Sequence, residues 1–331
     1  MPEKKNLKDT IKNAATDIAD SVDRFGNQAI GKTVDIAEST KQAILAKLDQ
    51  NGDGQIGIED LIVLAIKLPG VHINRAAFLQ KELFKNHPQD VIDYAISHTP
   101  AQAGIPSEEI DRIADEVIKF ERRCVSGISV ALGAPGGWAM AATIPADITQ
   151  YYGYTLRAAQ KLLYLYGFPE IDSDEEGLQL DSETLNSLII CLGVMNGVAG
   201  ANNAIKGMAK ALAVGVEKKL LNMALTKGAV YPIVKSVMKW FGVNLTKAIF
   251  AGAFRKAIPV VGGVVGGGIT FVSFKPCCYR LKQALQDTML SNPDHVSTAD
   301  EESLYNSIVT GTVIDVDAYE VQDATEDGAD R

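Results

Sequence analysis

The residues best suited to chemistry are oxygen-bearing ones that recur through a twelve-residue segment, from Asp49 to Asp60. In a helix-loop-helix calcium site, oxygens converge on the ion from positions 1, 3, 5, 7 and 12, and a glycine at position 6 makes the sharp turn. Gly54 stands at position 6 here, and each oxygen position has a suitable residue. The segment therefore predicts a divalent-ion site of the EF-hand type. Its predicted ligands are Asp49, Asn51, Asp53, Gln55 through its backbone carbonyl, and Asp60.

The last ligand bears on which ion the loop prefers. Asp60 stands where calcium sensors carry glutamate, and its shorter side chain reaches less easily to bidentate coordination. Gly57, at position 9, leaves that coordination position to a water molecule. Because fewer protein ligands favour a smaller ion, we expect Ca²⁺ to bind, with Mg²⁺ competing for a six-oxygen site. The alternative is a polar turn that holds no metal.

Apolar residues flank the loop at helical spacing, which predicts a helix on each side of it. The second helix is also apolar on its other face, at Ile62, Val63 and Ile66. The segment Asp172–Glu183 is only a degenerate match to a second hand, and it is either a second ion site or an acidic loop in which Asp181 caps a helix. An unpaired hand must pack its second helix on something else. We therefore expect the main domain to cover this helix and to sense the ion.

The inventory of catalytic motifs is thin. Residues Gly26–Thr33 match the phosphate-loop pattern GxxxxGK[ST], but a polar-faced helix precedes them where the mechanism needs a buried strand. There is no HExxH or GxSxG, and we expect the four histidines to be solvated. The predicted helix after residue 138 carries polar residues that form either a buried polar site or an ion-paired helix face. These polar residues are Asp147, Arg157, Gln160 and Lys161. The inventory favours a protein without catalytic activity.

Composition favours an all-α fold. The chain has 331 residues, of which 47% are hydrophobic and 22% charged, and no strand-like alternation competes with the helical periodicity. The four cysteines offer no zinc spacing, so we interpret them as reduced structural thiols. We predict N-terminal helices with the EF-hand over residues 1–70, a multi-helix domain with Gly-rich apolar helices over 71–290, and an acidic disordered tail over 291–331. The helices predicted after the loop cover residues 58–68, 74–97, 107–132, 138–166, 182–228, 230–256 and 276–290.

Charge is distributed unevenly toward the end of the chain. Residues 206–282 hold 13 basic residues and one acidic residue, whereas residues 283–331 hold one basic residue and 12 acidic ones. The basic stretch therefore indicates an anionic partner. Lys235 and Lys239 lie one turn apart beside apolar residues, which suits the headgroups of an anionic membrane. The acidic tail is the nearest alternative partner, and no signature of specific nucleic-acid binding is present. The apolar neighbours are Val234, Met238, Trp240 and Phe241.

Three long segments carry no charge, and each is rich in glycine or alanine. The third has small residues at the spacing that lets helices approach closely. As membrane spans they are marginal, because a helix needs about 20 apolar residues to cross a bilayer and Pro135 interrupts the first. They form either re-entrant segments or buried core helices, and length favours the core. The segments are Val125–Ala146, Thr184–Ile205 and Ala257–Phe274.

Several motifs resemble those of the bacterial EcsC family. They are GAPGGW at Gly133–Trp138, IPADITQYY at Ile144–Tyr152, QKLLYLYGF at Gln160–Phe168, YPIVKSVMKWFGV at Tyr231–Val243 and KAIPVVGGVVGGGITF at Lys256–Phe271. The resemblance covers about residues 73–285 and implies a helical, membrane-associated bacterial protein. It brings no catalytic residues with it. The ion loop ahead of it departs from the family's layout, so ion regulation rests on the loop alone.

Together these features predict a cytoplasmic protein that lies against the inner face of the cell membrane. Its N-terminus is charged and lacks the apolar region of a secretory signal. We expect ion binding to reposition the adjoining helices and to change how the basic stretch meets anionic lipid. One alternative is an enzyme or carrier with an apolar cavity near Asp147 and Arg157 for a small molecule or lipid. Another is a helical adaptor that binds protein partners through its acidic tail.

Overall fold

The structure of the protein is a computed structural model. All the regular secondary structure that it describes is helical. The structure describes residues 57–66, 68, 70–133, 140–171, 182–242, 259–292 and 294–311, with only the backbone described for 126–133, 140–148, 182 and 259–272. No strand occurs among these residues. The prediction of an all-α fold is confirmed. The predicted helix before the ion loop and the motif Gly26–Thr33 lie outside the described residues.

Eleven helices are described, and they are numbered here in chain order. They are α1 (Ile58–Ile66), α2 (Arg75–Leu83), α3 (Gln89–Ser97), α4 (Ser107–Gly133), α5 (Met140–Leu165), α6 (Ser182–Asn196), α7 (Ala201–Ala213), α8 (Lys218–Thr226), α9 (231–242), α10 (Pro259–Gln286) and α11 (Ala299–Thr310).

Three long helices form the centre of the fold. Helices α4, α5 and α10 contain 27, 26 and 28 residues, and each packs against the other two. Ser107 starts α4, with acidic residues in its first turn that suit the positive end of the helix dipole. Helix α10 is continuous, so it joins residues 259–274 of the third apolar segment to the helix predicted from residue 276, and it accommodates Pro276 in its interior.

Two long helices predicted from periodicity are interrupted. Pro88 stands at the N-cap of α3 and breaks the helix predicted over 74–97, because proline cannot donate to a preceding turn. The helix predicted over 182–228 divides into α6, α7 and α8. Gly197 and Gly200 have φ of 73° and 79° between α6 and α7, a left-handed conformation that ends one helix before the next begins.

The uncharged segment Thr184–Ile205 supplies core. Its side chains at Leu188, Ile189, Leu192 and Met195 have no exposed surface. A Cβ at Gly193 would lie 2.6 Å from Val237 of α9, so glycine allows α6 and α9 to approach closely. The core-helix interpretation is confirmed for this segment. Among the described residues, no helix combines the length and the apolarity that crossing a bilayer requires.

The segment predicted as a disordered tail contains a helix, α11. Thr298 and Glu301 form a capping box, in which each side chain accepts a hydrogen bond from the other's backbone N–H. Leu304 and Ile308 are buried, and α11 packs on α7 and α8. The prediction of disorder is therefore wrong for residues 299–310. Acidic composition masked a capped amphipathic helix whose apolar residues are spaced four apart.

Candidate ion site and the helices that it adjoins

Asp60 is the predicted ion ligand that lies among the described residues, in the first turn of α1. Its side chain is buried, and its Oδ2 accepts a hydrogen bond of 2.8 Å from the backbone N–H of Gly57. Negative charge is favourable there, because the first N–H groups of a helix lack partners within the helix. The bond holds the carboxylate against the end of the loop. The other predicted ligands, Asp49, Asn51, Asp53 and Gln55, lie outside the described residues.

The end of the loop is rich in oxygen around Gly57. A Cβ at this position would lie 2.7 Å from Glu59 Oε2 and 3.5 Å from Asp60 Oδ2. Both carboxylates therefore lie close to the Gly57 backbone. Groups of three His, Cys, Asp or Glu side chains that could hold a metal are absent from the described residues. The predicted site therefore depends on residues 49–55 together with Asp60.

Helix α1 is buried in the helical domain. Leu61, Ile62 and Ala65 have no exposed surface, and Ile66 is 4% exposed. The helix packs on α5 and also contacts α6. The described helices of the main domain therefore cover α1, as the apolar residues on both its faces predicted. Burying the three larger side chains, Leu61, Ile62 and Ile66, contributes about 1.5–3 kcal/mol each.

The segment that follows α1 is hydrogen-bonded to α5. Gln160 is fully buried, donates to the Val71 carbonyl at 2.9 Å and accepts from the Ile73 N–H at 3.0 Å. Arg157, one turn earlier, donates to the Gly70 carbonyl. A Cβ at Gly153 would lie 3.1 Å from Leu68 Cδ1, which indicates tight packing of the same segment. The exit from α1 is therefore fixed at three successive turns of α5.

A buried carboxylate joins this part of α5 to α4. The Glu121 side chain has no exposed surface, and its two oxygens lie 3.2 Å from Arg157 Nε and 2.5 Å from Lys161 Nζ. Both interpretations of the polar residues on α5 thus hold in part, because the residues pair as ions and do so in a largely buried setting. Nearby, burial and the Glu121 charge raise the pKa of the Cys124 thiol. Asp147 lies where only the backbone is described.

An apolar cavity lies on another side of α5, away from Arg157. Its volume is about 380 Å³, and its walls come from the end of α5 and from α6, α7 and α8. Burial raises the pKa of Cys191 to about 12, so this thiol stays neutral in the wall. Polar side chains among the lining residues are Glu170, Glu183, Thr184, Ser187 and Lys218. The main apolar lining residues are Leu163, Phe168, Ile205, Met208, Leu212 and Leu221.

The patch predicted to face lipid on α9 is only partly exposed. Lys235 and Lys239 are exposed, and Lys235 lies 4.9 Å from the ring centroid of Tyr231. Val234 and Phe241 belong to the core, with at most 1% exposed. The cationic half of the predicted pattern is therefore present on the surface. Two of its four apolar residues face inward, because α9 uses them to pack on the domain.

Lysines at the start of the basic stretch pair with the acidic segment that follows it. Lys206 Nζ lies 3.1 Å from Glu301 and 3.3 Å from Asp287, and Lys210 pairs with Glu302. The acidic segment is therefore an intramolecular partner of part of the basic stretch, as the charge pattern suggested. Other basic residues of the stretch are exposed in the described part. They are Lys218, Lys219, Lys227, Lys235, Lys239, Lys275 and Arg280.

The histidines are not uniformly solvated. The His295 side chain is only 4% exposed and lies between two carboxylates, while the His87 side chain is 16% exposed and lies 3.1 Å from Glu109. His98 is exposed and stacks on Tyr94 at 4.1 Å between ring centroids. The prediction of solvated histidines is wrong for His295. Its partners, Asp287 and Glu301, belong to two different segments, and no motif in the sequence links them to the histidine.

Comparison of the chain with protein-family models, with curated proteins and with solved structures gave no match.

Proposed function

We propose that this chain is a divalent-ion-binding protein that associates with the inner face of the cell membrane. In this proposal Ca²⁺ binds the loop Asp49–Asp60 and alters how the basic helical domain meets anionic lipid. The main support is that α1 begins at the end of this loop and is buried against α5. A helix with so little free surface cannot move alone, so a change at Asp60 acts on its neighbours.

The route from the loop into the domain follows described contacts. A bound cation attracts the Asp60 carboxylate, which otherwise accepts a hydrogen bond from Gly57. Displacement of the first turn of α1 shifts the segment at residues 70–71, which Gln160 and Arg157 bind through hydrogen bonds. Arg157 also pairs with Glu121 of α4, so the displacement is transmitted to α4 and α5, two of the three central helices. The membrane part of the proposal draws on the exposed lysines and on the resemblance to the EcsC family.

Removing a loop ligand should abolish both ion binding and its effect on lipid association. We expect Asp53→Ala to weaken Ca²⁺ binding by more than about tenfold, since the number of ligand charges sets affinity in such loops. Asp90→Ala, an exposed carboxylate on α3, is the matched control and should bind as the wild type does. Isothermal titration of Ca²⁺ and Mg²⁺ measures this on the full chain, because a fragment ending at residue 70 would lose the packing partner of α1.

The same variants test the membrane step by co-sedimentation with vesicles of phosphatidylserine and phosphatidylcholine. Calcium should change the bound fraction of the wild type and of Asp90→Ala, but not that of Asp53→Ala. Absence of heat with either ion would refute the ion site. Equal partitioning with calcium and with chelator would refute the coupling, and no binding to anionic vesicles would refute the membrane association.

A second candidate function is the carriage of a small apolar molecule in the cavity between α5, α6, α7 and α8. Its volume of about 380 Å³ lies within the range of ligand pockets. Ser187 and Lys218 add polar groups to a wall that is otherwise largely apolar. This chemistry suits an acyl chain with a polar end. The observation favours the carrier alternative, although the cavity is not near Arg157 as the sequence suggested.

Filling the cavity should prevent such binding. Met208 is 5% exposed and lines the cavity, so Met208→Trp should reduce binding of a fluorescent fatty acid by at least about tenfold, the loss expected when about 1.4 kcal/mol is removed. Met208→Leu conserves volume and should bind normally. Titration by fluorescence measures both. Saturable binding that Met208→Trp leaves intact would place the ligand elsewhere, and lack of saturable binding to the wild type would reject fatty acids as ligands.

A further inference from the structure

Helix α11 lies in a shallow groove on α7 that a glycine creates. A Cβ at Gly207 would lie 3.1 Å from Leu304 Cδ2 and 3.5 Å from Leu304 Cβ, so the leucine packs directly on the backbone of α7. Ile308, one turn later, has no exposed surface. Gly311, at the end of α11, is close to the Met223 side chain of α8. The apolar contact is small, with two fully seated side chains on a single twelve-residue helix.

Charged groups complete the contact. Lys206 and Lys210 project from α7 one turn apart, and both side chains are largely covered, with 13% and 14% exposed. Lys206 bridges Asp287, just after α10, and Glu301 in α11, while Lys210 pairs with Glu302 and lies 4.9 Å from the Tyr305 ring centroid. The acidic first turn of α11 therefore covers both cations, and without α11 Lys206 would keep only Asp287, whose side chain is 60% exposed.

His295 connects the two carboxylates that Lys206 bridges. Its Nδ1 lies 2.7 Å from Asp287 Oδ1, and its Nε2 lies 2.9 Å from Glu301 Oε2. Carboxylates accept hydrogen bonds, so both ring nitrogens must carry protons for both bonds to form, and only the imidazolium does so. Asp287, Glu301 and Lys206 are the charged groups around His295 from the end of α10, from α11 and from α7. Elsewhere on α7, Asn203 donates a hydrogen bond to Asp300, and Lys210 forms an ion pair with Glu302.

We propose that α11 is a releasable cover on the cationic face of α7, and that His295 sets how firmly it is held. When α11 leaves, Lys206 and Lys210 become available to anionic phospholipid headgroups. This inference rests on the membrane association proposed above, and it names a regulated part of that surface. Lipid is favoured over an acidic protein helix because α8, which also packs on α11, carries two further exposed lysines, Lys218 and Lys219.

The attachment of α11 to α7 weakens as the pH rises through the pKa of His295. Burial alone lowers the pKa of His295, but its bonds to Asp287 and Glu301 outweigh burial and raise it overall. Its contribution is complete below the ordinary histidine pKa of about 6.5 and is lost as pH rises through the raised value. The pKa of Asp287 is lowered, chiefly by its bond to His295. Glu301 also has a lowered pKa, because its bonds to His295 and Lys206 outweigh its burial. Asp287 and Glu301 stabilise the contact above their ordinary carboxyl pKa values of about 4. The attachment of α11 to α7 is therefore strongest in mildly acid solution.

A disulfide between α7 and α11 tests the cover directly. The 3.5 Å between the Cβ position of Gly207 and the Cβ of Leu304 suits a disulfide, so the double variant Gly207→Cys with Leu304→Cys locks α11 when oxidised. Mass spectrometry of the linked peptides confirms the pairing. The reduced protein should bind phosphatidylserine vesicles on the order of tenfold more strongly than the oxidised protein, because two further lysines reach the surface. The same chain in two redox states controls for folding and composition.

Each remaining outcome has a distinct meaning. Equal vesicle binding by the oxidised and reduced forms, without binding of a synthetic peptide of residues 297–311 to the reduced form, overturns the cover while leaving membrane association through other lysines intact. No vesicle binding by either form overturns both. If the reduced form binds a synthetic peptide of residues 297–311 but shows no gain on vesicles, the lipid assignment is overturned and the face belongs to acidic helices.

Titration of vesicle binding tests the role of His295 without any crosslink. Wild-type binding at pH 8 should exceed binding at pH 6, and His295→Gln should bind strongly at both pH values. His87→Gln is the matched control, because His87 pairs with Glu109 in the first turn of α4, outside the contact between α7 and α11, and should leave the pH dependence unchanged. A pH dependence that survives His295→Gln would exclude His295 as the group that holds the cover.

Discussion

Glu121→Ala should destabilise the helical domain by about 3–5 kcal/mol, the range measured when one partner of a buried ion pair is removed. The Glu121 side chain is fully buried and pairs with both Arg157 and Lys161. Its loss leaves two cations with little access to solvent, since their side chains are 22% and 13% exposed. The cost is the desolvation of unpaired charge rather than the strength of the attraction itself.

Urea denaturation of the wild type and the variants measures the effect through the free energy of unfolding. Glu116→Ala is the matched control on the same helix, because Glu116 is 64% exposed and pairs with Arg112 at the surface. Surface pairs contribute at most about 1 kcal/mol, so the control should unfold nearly as the wild type does. Glu121→Gln should fall with Glu121→Ala, since the amide keeps the volume but not the charge. If both Glu121 variants lost less than about 1 kcal/mol of unfolding free energy, Glu121 would not stabilise the domain by neutralising Arg157 and Lys161.

Periodicity and capping predicted two of the three central helices well. Helices α4 and α5 begin and end within a few residues of the predicted ranges, because each has a long apolar stripe and clear turn signals around it. The burial of α1 was also predictable, since apolar residues on more than one face of a short helix require cover on more than one side. These are features that neighbouring residues determine.

Features that depend on distant residues carried no local signal. Glu121 and Arg157 are 36 positions apart, and Lys206 is 81 positions from Asp287, so charge counts suggested a partner without identifying the residues. Helix α11 did leave a signal, because Thr298 and Glu301 have capping-box spacing and Leu304 and Ile308 follow one turn apart. The acidic composition of the segment led to the prediction of disorder in spite of this signal. The cavity arises from packing among four helices and has no sequence pattern of its own.

Arg75→Met should cost about 3 kcal/mol, because the guanidinium donates to four backbone carbonyl oxygens and a buried acceptor left without its donor costs about 1–3 kcal/mol. Arg75 is 7% exposed, and it donates to the His98 carbonyl at 2.9 Å and to the Phe168 carbonyl at 3.0 Å. It also donates to the carbonyls of Ala95 and Ile96. Three of these oxygens lie at the end of α3, where helix carbonyls lack partners within the helix. The side chain therefore fastens the end of α3 to the end of α5.

Arg75→Lys distinguishes geometry from charge at this position. Burial lowers the pKa of Arg75, while Tyr164 and Glu170 oppose that effect, so the site tolerates a cation. An ammonium group keeps the charge but concentrates its donors at one point, and it cannot span carbonyls from two segments. We expect Arg75→Lys to recover less than half of the loss in urea denaturation. Arg112→Met, at a guanidinium that is 52% exposed, should change stability by less than about 0.5 kcal/mol. If Arg75→Lys unfolded like the wild type, charge alone would account for the site and the forked hydrogen bonding would not.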